Sequence, residues 1–170
     1  ENALHWMGLA ADNGNSNAQY TMGYFYYNGI GVERSLDECI RMCKLAADQG
    51  DYLAQYMLGC IYYFGDTGEA DDEEAVKWFN KSAKLGYCEA QFNLANCYYN
   101  GEGVEKNEEY AVNWYTRAAE GGQVDAQYNL GCFYSQGIIV EKDLEQARHW
   151  LGLAAEQGHA YAQFNLDNLE

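Results

Sequence analysis

Proline is absent from the 170 residues, and cations are scarce: ten Lys and Arg stand against 26 Asp and Glu, a formal charge of −16. Without proline, the 18 glycines are left to interrupt the chain. So few Lys and Arg exclude nucleic acid as a partner, because phosphate neutralisation supplies most of that affinity. The same balance argues against anionic membrane surfaces. No apolar run approaches the ~20 residues of a membrane helix, so no direct membrane insertion is expected. The chain opens on Glu1 without a signal-peptide pattern, which reads as a processed or excised segment. What is present is a core: 48% hydrophobic and 15% aromatic residues exclude disorder.

The chain is built from one unit copied. Ala-Gln recurs at Ala18-Gln19, Ala54-Gln55, Ala90-Gln91, Ala126-Gln127 and Ala162-Gln163, always 36 residues apart. Gly14, Gly50, Gly86, Gly122 and Gly158 keep the same interval, as do Trp6, Met42, Trp78, Trp114 and Trp150. Such a fixed period is the mark of a repeat architecture.

Each unit carries two helical patterns. In one unit Ala54, Leu58, Ile61 and Tyr62 form a single stripe that Gly65 ends. The second helix runs from about Asp71 to Leu85 through Ala75, Trp78, Phe79, Ser82 and Ala83, and Gly86 stops it as a C′ glycine. Ser35, Asp71, Asn107 and Asp143 are its N-caps, and Glu38, Glu74 and Gln146 complete capping boxes in three of the four copies. A lone helix of this length is marginal in water, so its stripe must be covered by the next pair. The expected fold is all-α: a right-handed α-solenoid of stacked antiparallel helix pairs with a 36-residue period. Trp78, Trp114 and Trp150 fill the space between helices. The boundaries follow as one repeat domain over 1–170, with a partial second helix at 1–14, full pairs at 16–50, 52–86, 88–122 and 124–158, and a partial first helix at 160–170. This off-phase window reads as an excerpt of a longer array.

Leu58-Gly59-Cys60-Ile61-Tyr62 and Leu130-Gly131-Cys132-Phe133-Tyr134 share a Leu-Gly-x-x-Tyr core similar to the tetratricopeptide repeat. The longer period comes from a Gly-x-Gly-Val loop, Gly29-Ile30-Gly31-Val32 and Gly101-Glu102-Gly103-Val104. With Ala-Gln, Trp114-Tyr115 and Ala-Ala-x-x-Gly, the unit resembles the Sel-one-like repeat. Thr67-Gly68 and Ile138-Ile139 break the loop's second glycine, so those two turns are expected to adopt another conformation. Some members of that family carry a disulfide ladder. The matching positions here, such as Ala47 and Gln55, are not cysteine, so the ladder does not transfer. The resemblance implies a non-catalytic protein-interaction scaffold.

The chemical candidates are weak. Cys39 and Cys43 lie one helical turn apart, but no second pair of ligands is near in sequence, and the six cysteines read as small core residues. Unpaired thiols lean towards a reducing compartment. His5 and His149 read as solvent-facing, and with His159 they suggest no triad. The acidic run from Asp66 to Glu74 lacks the EF-hand ladder and instead suits a helix N-terminus. No enzyme activity, metal or cofactor is expected.

The binding surface is sought on the first helices, the concave side of stacked pairs. By analogy with the tetratricopeptide repeat, its positions lie two, six, nine and ten residues after the repeat Ala. They give Tyr20, Tyr56, Phe92 and Tyr128 (with Phe164), then Tyr24 and Asn96 (with Cys60 and Cys132). They continue with Tyr27, Tyr63 and Tyr99 (with Ser135), then Asn28, Phe64, Asn100 and Gln136. Tyr26, Tyr62, Tyr98 and Tyr134 are expected in the core. A Tyr/Asn-lined groove suits an extended peptide or a partner protein, and the charge favours a neutral or basic one. The alternative is a structural module that self-associates or docks through its open solenoid ends.

Overall fold

A computed structural model describes residues 2–169; the expected terminal helices also take in residues 1 and 170, which lie outside the described residues. All regular structure among the described residues is helical. Two compact units are formed, one through Leu85 and one from Gly86. In the first, α1 (Asn2–Asp12), α2 (Ser16–Asn28), α3 (Leu36–Asp48), α4 (Tyr52–Phe64) and α5 (Asp72–Lys84) pack each on the next. In the second, α6 (Cys88–Asn100), α7 (Glu108–Glu120), α8 (Val124–Gln136), α9 (Leu144–Glu156) and α10 (Ala162–Asp167) do the same. This is the α-solenoid of helix pairs that the period implies.

The Ala-Gln dipeptide holds successive helices together. Its Ala is buried, and in α2, α4 and α8 its Gln reaches back to the end of the preceding second helix, whereas Gln163 donates to Asp167. Gln19 Nε2 donates to the Ala11 carbonyl, Gln55 Nε2 to Ala47 and Gln127 Nε2 to Ala119, each at 3.1 Å. Helix-terminal carbonyls lack intrahelical partners, so this bond satisfies one of them while clipping two helices together. Ala47 and Gln55, the positions where a disulfide would stand in some relatives of the repeat, are thus joined by a hydrogen bond; all six cysteines are free.

The N-caps Ser35, Asp71, Asn107 and Asp143 each accept from the backbone three residues on. The second half of the capping box does not form. Each cap's own N–H donates instead to a first-helix carbonyl, that of Tyr26, Tyr62, Tyr98 or Tyr134. Glu38 and Glu74 are therefore left to pair with Arg41 and Lys77. Trp78, Trp114 and Trp150 are buried, as expected, whereas Trp6 is 65% exposed.

One turn expectation holds and one fails. At 67–68 the turn departs from its sisters, with Gly68 at φ 127°. The turn at 138–139 does not: Ile139 takes φ 67°, as Gly31 and Gly103 do at 69° and 66°. The flanking pair geometry fixes the loop, and the isoleucine is forced into it.

Candidate functional site

Gly23, Gly59 and Gly131 bring each first helix against its partner: a Cβ there would lie 2.5–2.6 Å from Cys43, Phe79 and Leu151. In two pairs an aromatic of the second helix lies beneath the first-helix face, opposite Gly59 in one and Ala95 in the other. In the α4–α5 pair it is Phe79, whose ring centroid lies 5.9 Å from Tyr56 and 6.1 Å from Tyr63. In the α6–α7 pair it is Tyr115, 5.9 Å from Phe92 and 6.5 Å from Tyr99. The aromatics at positions two and nine thus straddle a buried ring from the second helix. Sequence reasoning missed Phe79 and Tyr115. The period could have found them, since Cys43, Phe79, Tyr115 and Leu151 share one register, opposite Gly23, Gly59, Ala95 and Gly131.

In the first unit, Tyr20 and Tyr27 are half-buried against a cluster containing Cys39, Cys43, Leu58 and Trp78. Tyr27 also donates its hydroxyl to Asp66 Oδ2 at 2.8 Å, a bond from α2 to the turn after α4. This bond, then burial, raises the Tyr27 pKa above its ordinary value. Arg34 lies over the same ring. Tyr24 and Phe64 are the open members, 45% and 70% exposed. Asn28 is exposed and donates to the Tyr24 carbonyl. Tyr56 and Tyr63 are half-buried.

In the second unit, Phe92, Asn96, Tyr99 and Tyr128 are half-buried, and Asn100 and Gln136 are exposed. Tyr99 lies 5.8 Å from Phe133 and carries Lys106 over its face. Asn100 donates to Glu102. Tyr128 stacks on His159 with centroids 4.1 Å apart and accepts from Asn165. Gln136 lines a shallow cleft of about 280 Å³ with Ser135, Asn165, Asn168 and Leu169. Tyr115 is buried, and its hydroxyl donates to Asn96 Oδ1 at 2.5 Å. Burial pushes its pKa well above the ordinary tyrosine value.

Tyr26, Tyr62, Tyr98 and Tyr134 are half-buried and not fully in the core. Their backbone carbonyls take the N-cap bonds, which holds these turns of the helices close to the loops. Cys39 and Cys43 are fully buried free thiols, and the hydrogen bond between them, then burial, raises the Cys43 pKa above its ordinary value. Among the described residues no three His, Cys, Asp or Glu side chains gather as metal ligands. The acidic run serves local structure: Asp66 accepts from Tyr27, and Asp71 caps α5, whose first turn holds Asp72, Glu73 and Glu74.

No curated protein matches the chain. Among solved structures, a protective antigen of uropathogenic Escherichia coli strains with an SLR fold is 34% identical, TM-score 0.92, over 98% of this chain and 36% of that one. A Sel1 repeat protein from Oxalobacter formigenes is 32% identical, TM-score 0.93, over 100% of this chain and 50% of that one. This chain therefore spans half or less of the length of these relatives. Cysteine-rich protein B of Helicobacter pylori shares the fold at 20% identity and TM-score 0.57, over 74% of this chain and 90% of that one. The Sel1 repeat model matches residues 1–15, 16–51, 53–87, 88–123 and 124–159, and the chain belongs to the Sel1-repeat family.

Proposed function

We propose that this chain is an adaptor that binds a peptide or partner protein on the Tyr/Asn-lined face of its first helices. Sel1-repeat proteins are generally protein-interaction modules and typically non-catalytic scaffolds. One observation carries the finer reading: all thirteen candidate residues keep accessible surface, while Met22-Gly23, Leu58-Gly59, Leu94-Ala95 and Leu130-Gly131 on the same helices are buried. A face of half-buried rings pinned by Phe79 and Tyr115 offers amphipathic area at little ordering cost. The charge of −16 favours a neutral or basic occupant and makes association sensitive to salt.

End-to-end association is the weaker reading, although Trp6 and Phe164 are 65% and 66% exposed. A second helix seated on α10 in the repeat geometry would meet Asp167, which stands in the register of Gly23, Gly59 and Gly131. That register otherwise holds only glycine or, at Ala95, a methyl group, so a carboxylate side chain does not fit the contact.

The test uses the two open residues and not Tyr27 with Tyr63, which also pack against the core. Tyr24→Ala with Phe64→Ala should keep full helicity by circular dichroism and lose partners captured from the source cell by the wild-type chain. An unchanged set of captured proteins would sink the reading.

A further inference from the structure

The outer face of α7 breaks with its sister helices. At the register of Glu38 and Glu74 it carries Tyr110, and at that of Arg41 and Lys77 it carries Asn113. In α3 and α5 those positions are closed by an ion pair, Glu38 with Arg41 and Glu74 with Lys77. In α7 the pair is gone, and a cleft of about 280 Å³ runs along Tyr110, Asn113, Trp114 and Arg117. Their spacing of i, i+3, i+4 and i+7 puts all four on one stripe of the helix. Tyr115, the ring beneath the first-helix face, lies off that stripe, so the cleft is separate from the proposed adaptor surface.

The cleft is rich in donors. Arg117 lies over the Trp114 ring, 4.9 Å from its centroid. Stacking holds a guanidinium in place and leaves its N–H edge free. Among the described residues Arg117 meets no carboxylate, since the ion pairs belong to Arg41, Lys77, Lys106 and His159. Asn113 is exposed, and its amide makes no hydrogen bond to the described residues. Tyr110 is 46% exposed, and its ring is set edge-on to Tyr98 at 4.7 Å and to Trp114 at 6.4 Å. A guanidinium without a counter-ion, a free amide and a fixed aromatic face suit a carboxylate carried on a ring.

The charge of the chain narrows the class. A formal −16 repels polyanions, and one guanidinium does not offset that for a phosphate or an acidic tail. A monoanion brings a single charge, and its apolar body adds contact with the tyrosine. The cleft lies at the lower edge of ligand-pocket sizes, which leaves room for a molecule of one or two rings. We infer that the α7 cleft binds a small aryl carboxylate. The carboxylate accepts two parallel N–H bonds from Arg117 and one from Asn113 Nδ2, and the ring lies against Tyr110.

The test measures phenylacetate on the whole chain by ligand-observed NMR, against phenylacetamide, acetate and phenyl phosphate. Phenylacetate should bind in the millimolar range, and its neutral amide about tenfold more weakly, on the unaltered protein. Acetate, which lacks the ring, and phenyl phosphate, which carries a second charge, should also fall behind. Arg117→Lys keeps a cation over the indole, as Lys81 does over Trp78 at 3.8 Å, but loses the fork and should cost a similar factor. Tyr110→Glu restores the sister residue and should abolish binding, whereas Tyr24→Ala with Phe64→Ala should leave it intact. Equal binding of phenylacetate and phenylacetamide overturns the site, as does acetate or phenyl phosphate at the strength of phenylacetate. Binding that survives both α7 substitutions, or that falls with Tyr24→Ala and Phe64→Ala, puts the ligand elsewhere and overturns it too. So does a chain that shows no saturable binding at millimolar concentration.

Discussion

Gln55 donates to the Ala47 carbonyl at 3.1 Å, yet its own buried Oε1 meets no donor. In two sister repeats the second-helix C-cap glutamine supplies one: Gln49 donates to Gln19 Oε1 at 2.7 Å, and Gln157 to Gln127 Oε1 at 2.8 Å. Leu85 stands in that register, with the same backbone conformation and 55% of its surface exposed. Leu85→Gln should therefore complete the chain of amides and raise unfolding stability by about 1 kcal/mol, the scale of one satisfied hydrogen bond. The urea midpoint is the measurement, and no increase would mean that the Oε1 is already served by solvent.

Ile139 presents a different local conflict. A β-branched residue at φ 67° is a true outlier, and the left-handed conformation costs roughly 1–2 kcal/mol for an L-residue. Ile139→Gly removes that strain but adds freedom to the unfolded chain, which takes back about 0.5–1 kcal/mol. A net gain of about 0.5–1 kcal/mol is expected. The neighbouring Ile138→Gly, at a residue outside the left-handed region, should only lose stability. Equal effects from the two substitutions would remove strain as the explanation.

These two sites mark where the sequence stopped being readable. The period, the N-caps at Ser35, Asp71, Asn107 and Asp143, the helix-ending glycines and the buried Trp78, Trp114 and Trp150 were legible because each follows from residues within a turn or two. The Gln55–Ala47 clip joins a first helix to the end of the preceding second helix, and the Tyr27–Asp66 bond joins two repeats. Neither leaves a local signal. The capping box misled for the same reason, since Glu38 and Glu74 satisfy its pattern while the N-cap N–H groups reach carbonyls of Tyr26 and Tyr62 brought near by packing. At the candidate site, first-helix positions were readable from register. Phe79 and Tyr115 also share a register, but which second-helix register underlies the first-helix face is set by packing between the helices of a pair and leaves no local mark.

Alkaline pH should unfold the chain early. Burial makes the folded state hold the Tyr115 proton more tightly than the unfolded chain, whose tyrosine titrates at the ordinary 10.0. Tyr20, Tyr27, Tyr98 and Tyr128 are shifted in the same direction. For a raised folded pKa the unfolded state binds fewer protons as pH climbs, so this contribution is complete below about pH 10 and is lost above it. The urea midpoint should fall steadily beyond that point, and Tyr115→Phe should flatten the fall. A pH-independent midpoint across the tyrosine range would contradict the burial seen for this ring.

Two glycine-to-alanine substitutions should move stability in opposite directions. Both sites lie inside helices, where alanine is intrinsically better by about 1 kcal/mol. At Gly152 in α9 an added Cβ meets nothing within 4 Å, so Gly152→Ala should realise that gain. At Gly59 in α4 the Cβ would lie 2.5 Å from the Phe79 ring, which is fully buried and has nowhere to go. Overpacking of this kind costs about 1–3 kcal/mol, so it exceeds or at least cancels the propensity gain. Because Phe79 also supports Tyr56 and Tyr63, Gly59→Ala should disturb the candidate face as well as the fold. The paired comparison of urea midpoints decides the matter: a Gly59→Ala chain as stable as Gly152→Ala would show that the α4–α5 contact is looser than these distances require.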